Sequence, residues 1–299
     1  MKQKILKLLI VLTFYHATNI SCEPVVYVKD YLGLLGNQLF QFCLGKIISK
    51  ELGMQFVCPP IYGFPETYLH NTGHPSQQFP TQQLLGHQID FKGVCADQTP
   101  RNIFLQGLFQ RYEYYENYTE EIKHWLRFDN DITPQNPNDI VVHVRLENPP
   151  AYLPFTYYED VLASTTFNRV YICTNEPNHP FIKKFKKYNP IIRTTTSLNQ
   201  LFAQGKTYEE IIKVTIDDFK FITSFNKIIT SQSTFSWWAA FLSKAQEIYA
   251  PLPDKGYMSS ERPDLQLVFQ PQYLNPQESG FGWLALKLSH AASKLIAFL

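Results

Sequence analysis

The sequence predicts an α/β protein made of two Rossmann-like halves that face a cleft. Three observations carry this. Near the start, an apolar run, a glycine-containing turn, a helical pattern and a second apolar run follow one another. Past a polar turn cluster, short apolar runs and helical patterns alternate again. The first run of that second half, Asp139-Ile-Val-Val-His-Val144, ends on a lone Arg145.

Pro24–Val28 reads as the first strand. A helix follows over Asn37–Leu52, because Leu39, Phe40, Cys43, Leu44, Ile47 and Ile48 recur at steps of three and four. Gly53 ends it, and Gln55–Cys58 resumes a strand. Residues 59–100 are rich in Pro, Gly, Gln and His and read as long loops around short elements. Their His70, His74 and His87 are not read as metal ligands, since His70 and His74, though four apart, fall in this loop-like stretch around Gly73 and Pro75 rather than in a helical pattern. Residues 110–127 carry a helical pattern rich in Tyr and Glu.

The polar cluster Asp131–Asn138 marks a domain boundary. It divides an N-terminal domain, 24–138, from a C-terminal one, 139–275. In the second half, strands are expected at Asp139–Val144, Val170–Cys173, Ile191–Thr195, Lys227–Thr230 and Glu247–Ala250. Helices are expected from about Tyr157, over Glu209–Thr223 and over Thr234–Ser243. No internal repeat is visible. Residues 276–299 form an amphipathic tail helix, polar around Lys287, His290 and Lys294, that packs on the body or rests on a membrane surface.

A chain of 299 residues can bury a sizeable core. Its 23 Phe and 18 Tyr set it apart from disordered sequences. A net charge of +1 supplies no field to attract nucleic acid, so local groups must meet any anionic ligand. At the N-terminus, Lys2, Lys4 and Lys7 precede the apolar stretch Leu8–Tyr15. That stretch is too short for a bilayer and suits a signal-peptide core. With no A-x-A cleavage site, residues 1–23 are a signal peptide or a signal anchor; an amphipathic first helix is the plainer reading. Sequons at Asn19 and Asn117 agree with a secretory compartment, with N-glycosylation expected at Asn117. Cys22, Cys43, Cys58, Cys95 and Cys173 show no CxxC pair and no metal spacing, and their pairing stays open. Cys43 falls on the apolar face of the first helix and reads as core.

Three segments carry candidate chemistry. Arg145 should project from the carboxyl end of a strand, where open α/β sheets bind ligands. Its planar fork suits a diphosphate leaving group, on which charge builds as a glycosidic bond breaks. A structural ion pair is the plainer reading. His143 would shape the site rather than act as a base. In Ser231–Ala240, Ser233 or Thr234 can cap a helix whose first-turn N–H groups form an anion site. Ordinary capping over a buried Trp237–Trp238 pair is the alternative. Gly33–Gln41 is a glycine-containing turn opening a helix, without a full G-x-G-x-x-G and without a Walker lysine. There, Gly36 lets backbone approach a ligand, and Asn37 caps the helix or presents its amide to a sugar or phosphate.

These segments resemble a known family. Gly33-Leu-Leu-Gly-Asn37-Gln38-Leu-Phe-Gln41 is similar to the G-G-L-G-N-Q-[ML]-F-Q opening of the α-1,2-fucosyltransferases, glycosyltransferase family 11. His143-Val-Arg145 resembles the start of its H-x-R-R-x-D motif, and Leu153–Tyr158 the Pro–Tyr-Tyr that follows. Asp218–Ile222 resembles its D-x-x-L-M segment, and Ser233–Ala240 its S-[ST]-F-S-W-W-A-A block. The resemblance runs from about Val25 to Pro253. It departs from the pattern at Leu146 in place of the second Arg and at Asn148 in place of the Asp. Glu147 stands one position early, and Thr174-Asn175-Glu176 replaces a Ser-Asp-Asp.

The resemblance implies a GT-B-like fold, GDP-fucose as donor, inversion at the fucose carbon and no required metal or other cofactor. By position, Arg145 would hold the diphosphate, and His143, Ser233, Thr234 and Phe235 would line the donor site. Asp218 would bond guanine, and Gly36, Asn37 and Gln38 would face the cleft. Glu147 is the candidate base. The expected activity is transfer of fucose to a glycan hydroxyl, O2 of galactose, by a Golgi membrane protein with a lumenal catalytic domain and membrane contact through its N-terminus. The alternatives are an inactive carbohydrate- or nucleotide-binding homologue and a transferase for another nucleotide sugar.

Overall fold

The structure is a computed structural model that describes residues 23–86, 88–128, 132–146, 153–194, 198–251 and 273–274. The predicted leader up to residue 22, Asn19, His87, Glu147, Asn148, Thr195 and the tail helix 276–299 lie outside the described residues.

The first half holds β1 (Val25–Tyr27), α1 (Leu35–Leu52), β2 (Gln55–Val57), β3 (Thr81–Gly86), α2 (Phe91–Ala96), β4 (Asn102–Gly107) and α3 (Thr119–Trp125). Its strands form a parallel sheet in the order β2-β1-β4-β3. The stretch read as long loops therefore contains the strand β3, and it is followed by the unforeseen β4. The predicted helix over 110–127 is shorter: 3₁₀ turns at Tyr112–Tyr114 and Glu116–Tyr118 precede α3. Asn117 is exposed on the second of these turns. Helix α1 begins two residues before Asn37, and Leu34, which precedes it, makes no side-chain cap.

The second half holds β5 (Ile140–Val144), α4 (Phe155–Ser164), β6 (Val170–Thr174), α5 (Pro180–Lys183), β7 (Ile191–Thr194), α6 (Leu198–Ala203), α7 (Tyr208–Thr223), β8 (Lys227–Ile229), α8 (Thr234–Leu242), β9 (Glu247–Tyr249) and β10 (Tyr273–Leu274). A capping box of Thr207 and Glu210 starts α7, and the Ser233 hydroxyl caps α8. The strands form a parallel sheet in the order β10-β9-β8-β5-β6-β7. From β5 the chain winds outward through β6 and β7, then returns to lay β8 and β9 on the other side. The β5–β8 boundary is thus a topological switch point. Two parallel α/β sheets are the arrangement the sequence predicts.

Strand β5 shows how the pleat sorts side chains. Ile140, Val142 and Val144 join Tyr157, Tyr158 and Phe185 in an apolar cluster on one face. Val141 belongs to the cluster on the other face. That larger cluster is continuous across both halves, from Val26 and the buried side of α1 through Phe219 of α7 to Trp237 and Trp238 of α8. Phe40 is its pivot, with ring centroids 5.4 Å from Tyr115, 5.2 Å from Trp237 and 4.8 Å from Trp238. Offset aromatic contacts of this kind add about 0.5–1.5 kcal/mol per pair beyond the area they bury. Among the described residues, Cys43, Cys58, Cys95 and Cys173 are unpaired thiols. No described helix is long and apolar enough to cross a membrane.

Candidate active site

A cavity of about 260 Å³ opens at the switch point, between the two sheets. Arg145 follows β5 directly, Ser231 and Ser233 follow β8, and Gly33–Asn37 close the cavity from the first half. Strand alternation decides which side chains arrive. Arg145 lies two residues on from His143, and both line the cavity. Leu146, one residue further, points the other way into the core with Val144 and is 4% exposed. The position of the second Arg in the related motif is thus a core position here.

The Arg145 guanidinium reaches the Ser233 hydroxyl, Nη1 to Oγ 3.4 Å. Ser233 Oγ also accepts from the Phe235 N–H at 3.3 Å, as the cap of α8. A cation and a helix N-terminus therefore meet at one point, the pairing that favours a bound phosphate. His143 is buried, with Nδ1 2.7 Å from Ser231 Oγ and its ring 5.6 Å from that of Phe235. Burial, with the Arg145 charge beside it, pushes its pKa down to about 3, so the imidazole stays neutral and is a weak base.

Asp218, on α7, lines the same cavity and accepts from Arg193 Nε at 2.7 Å. Burial pushes its carboxyl up to about 6 although Arg193 pulls it down. The Arg193 guanidinium is itself held 4.4 Å over the Phe221 ring. The side chain proposed for a base edge thus has an ion-pair partner already.

The glycine-containing turn departs from expectation. Gly36 does line the cavity, but its missing side chain serves packing first. A Cβ there would lie 2.6 Å from the Thr234 carbonyl carbon and 2.7 Å from the Phe235 nitrogen. Asn37 does not cap α1. Its Oδ1 accepts from Gln110 Nε2 at 2.6 Å and from Thr234 Oγ1 at 3.1 Å, joining the halves at the cavity wall. Gln38 does not line the cavity; its amide donates to Gly33 O at 3.2 Å. Gln41 clamps the turn, exchanging hydrogen bonds with the Leu32 N–H and C=O.

Of the predicted site residues, the structure brings together Gly36, Asn37, His143, Arg145, Asp218, Ser233, Thr234 and Phe235. Glu147 lies outside the described residues. The sequence reading did not assign Thr174 and Asn175 at the end of β6, or Leu201, Val214 and Thr215 on the neighbouring helices, to the site. Asn175 could have been found from the strand–edge rule that singled out Arg145. Its Oδ1 accepts from the Leu146 N–H at 3.1 Å, and its buried Nδ2 has no partner among the described residues. Among those residues, no group of three or more His, Cys, Asp or Glu is placed to hold a metal ion.

Residues 195–273 match the family model of glycosyl transferase family 11. The matched segment, about a quarter of the chain, is similar to that family. It includes α7, with Asp218, and the Ser233–Ala240 block, so the family 11 resemblance of those motifs is borne out there. No curated protein sequence matches the chain. Among solved structures the chain is similar to a mutant of Arabidopsis thaliana FUT1 in complex with GDP, at 10% identity over 80% of this chain and 73% of that one, TM-score 0.45. It is also similar to the fucosyltransferase NodZ from Bradyrhizobium, at 10% identity over 74% and 94%, TM-score 0.46. A third is E. coli ADP-heptose lps heptosyltransferase II, at 10% identity over 90% and 99%, TM-score 0.37. These likenesses are too distant to transfer an activity to this chain.

Proposed function

We propose that the chain is an inverting fucosyltransferase that takes fucose from GDP-fucose and places it on a glycan hydroxyl, O2 of galactose. The observation that carries this reading is the meeting of Arg145 and the α8 N-terminus in one cavity at the switch point. As the bond from fucose C1 to the β-phosphate oxygen breaks, negative charge gathers on that oxygen. A fixed guanidinium and the helix N-terminus stabilise that charge more than the ground state. The acceptor oxygen attacks C1 from the opposite face and loses its proton, with Glu147 as the proposed base. His143 holds the Ser231 side in place as a neutral ring. Asp218 suits guanine, whose N1–H and N2–H₂ face a carboxylate well. The reading needs no metal, because Arg145 and α8 supply the positive charge. We place the protein in the Golgi lumen, anchored or led there by its N-terminus and glycosylated at Asn117.

Calorimetry with GDP and GDP-fucose, followed by turnover with a galactoside, tests the proposal. GDP binding and transfer are expected. For Arg145→Ala, turnover should fall at least ~10²-fold, the scale of one lost transition-state donor. A rate within a few-fold of wild type would remove Arg145 from the mechanism. Absence of GDP binding would end the donor assignment, and binding without turnover would favour the inactive homologue.

A further inference from the structure

We propose that a second groove, where the Gly63 turn meets α7, binds a neutral glycan. The groove measures about 440 Å³ and is lined by Tyr62 and Tyr68 from the first half and by Lys213, Asp217 and Lys220 from α7. Its floor is fixed by a close approach. Gly63 has φ +85°, and a Cβ there would sit 3.0 Å from the Ile216 side chain.

Helical geometry separates this groove from the donor cavity. At 100° per residue, Val214, Thr215 and Asp218 share one side of α7, whereas Lys213, Asp217 and Lys220 share nearly the opposite one. The two sites therefore lie on either side of one helix, about 10–12 Å thick.

The chemistry of the lining selects the ligand class. Tyr62 and Tyr68 are 38% and 50% exposed, whereas few other large rings among the described residues are exposed to that degree. Such rings offer flat apolar faces with a polar edge, which suit the C–H faces of a pyranose. Asp217 accepts from sugar hydroxyls, and lysine ammoniums donate to them. The charges alternate Lys213, Asp217, Lys220 at spacings of four and three along the helix. The Lys220 ammonium also lies 5.2 Å over the Phe128 ring. The groove thus carries a single net positive charge, with Asp217 set between the two lysines, unlike the clustered cations that a sulfated or phosphorylated chain demands. Naming this glycan as the arm of an acceptor rests on the transferase reading; its binding does not.

The test is saturation-transfer NMR and calorimetry on the intact protein with the neutral tetrasaccharide lacto-N-neotetraose. Binding is expected in wild type and in Arg145→Ala. Tyr62→Ala and Tyr68→Ala should each weaken it roughly fivefold or more, the worth of one ring contact. Tyr68→Phe, which keeps the ring, should retain it, and unchanged melting temperatures show that the variants fold. No saturation transfer in wild type, or binding at the wild-type level in both alanine variants, would overturn the proposal. So would binding confined to sulfated glycans and lost in salt. Glycan binding without GDP binding would sink the donor assignment and leave the groove standing.

Discussion

Asp218 and His143 share a cavity wall yet answer acid in opposite ways. The Asp218 carboxyl is raised from 3.8 to about 6 by burial, so the stability it contributes falls as pH rises between those values and is flat above. His143 is lowered from 6.5 to about 3, so acidification through that window favours the unfolded chain, whose imidazole takes the proton. Two outcomes follow. If Asp218 accepts from guanine, GDP affinity should rise between about pH 5 and about pH 7 as its carboxylate forms. Asp218→Asn should flatten that profile in calorimetry. His143→Gln should shrink the drop in urea midpoint between about pH 7 and about pH 4.5. Arg145 and Asp218 were legible from the sequence, because a strand edge and a helix in a motif each fix a position. Their partners were not. Nothing in the letters pairs Arg193 with Asp218, since register between β7 and α7 is a tertiary fact.

Helices α1 and α8 cross where Gly36 leaves no room for a Cβ. Because the obstructing atoms include Thr234 and Phe235 backbone, relief requires moving a helix rather than a rotamer. Gly36→Ala should therefore cost about 1–3 kcal/mol, the range of overpacking changes. A lower melting temperature together with weaker GDP binding is the expected result. The apolar period of α1 made that helix readable, but not its start. Asn37 looks like a cap by residue type, yet the helix opens at Leu35 and spends the amide on Gln110 and Thr234. Strand β3 escaped because it is an edge strand in which only Leu84 is buried, so no apolar alternation marks it. β5, buried along its whole length, was plain.

At the scale of the molecule, the halves share one core behind the cavity and one ligand space in front of it. A ligand that bridges both walls should stabilise the whole chain. At a GDP concentration of 100 times Kd, linkage predicts about 2.7 kcal/mol, seen as a higher melting temperature. Arg145→Ala should remove most of that shift at the same GDP concentration. The Thr234 hydroxyl has a single proton, and it is spent on Asn37 across the seam. Any phosphate or sugar oxygen that claims this proton must first take it from the opposite half. Occupancy and seam then compete for one hydrogen atom, and the donor site doubles as a gauge of how tightly the halves are fastened.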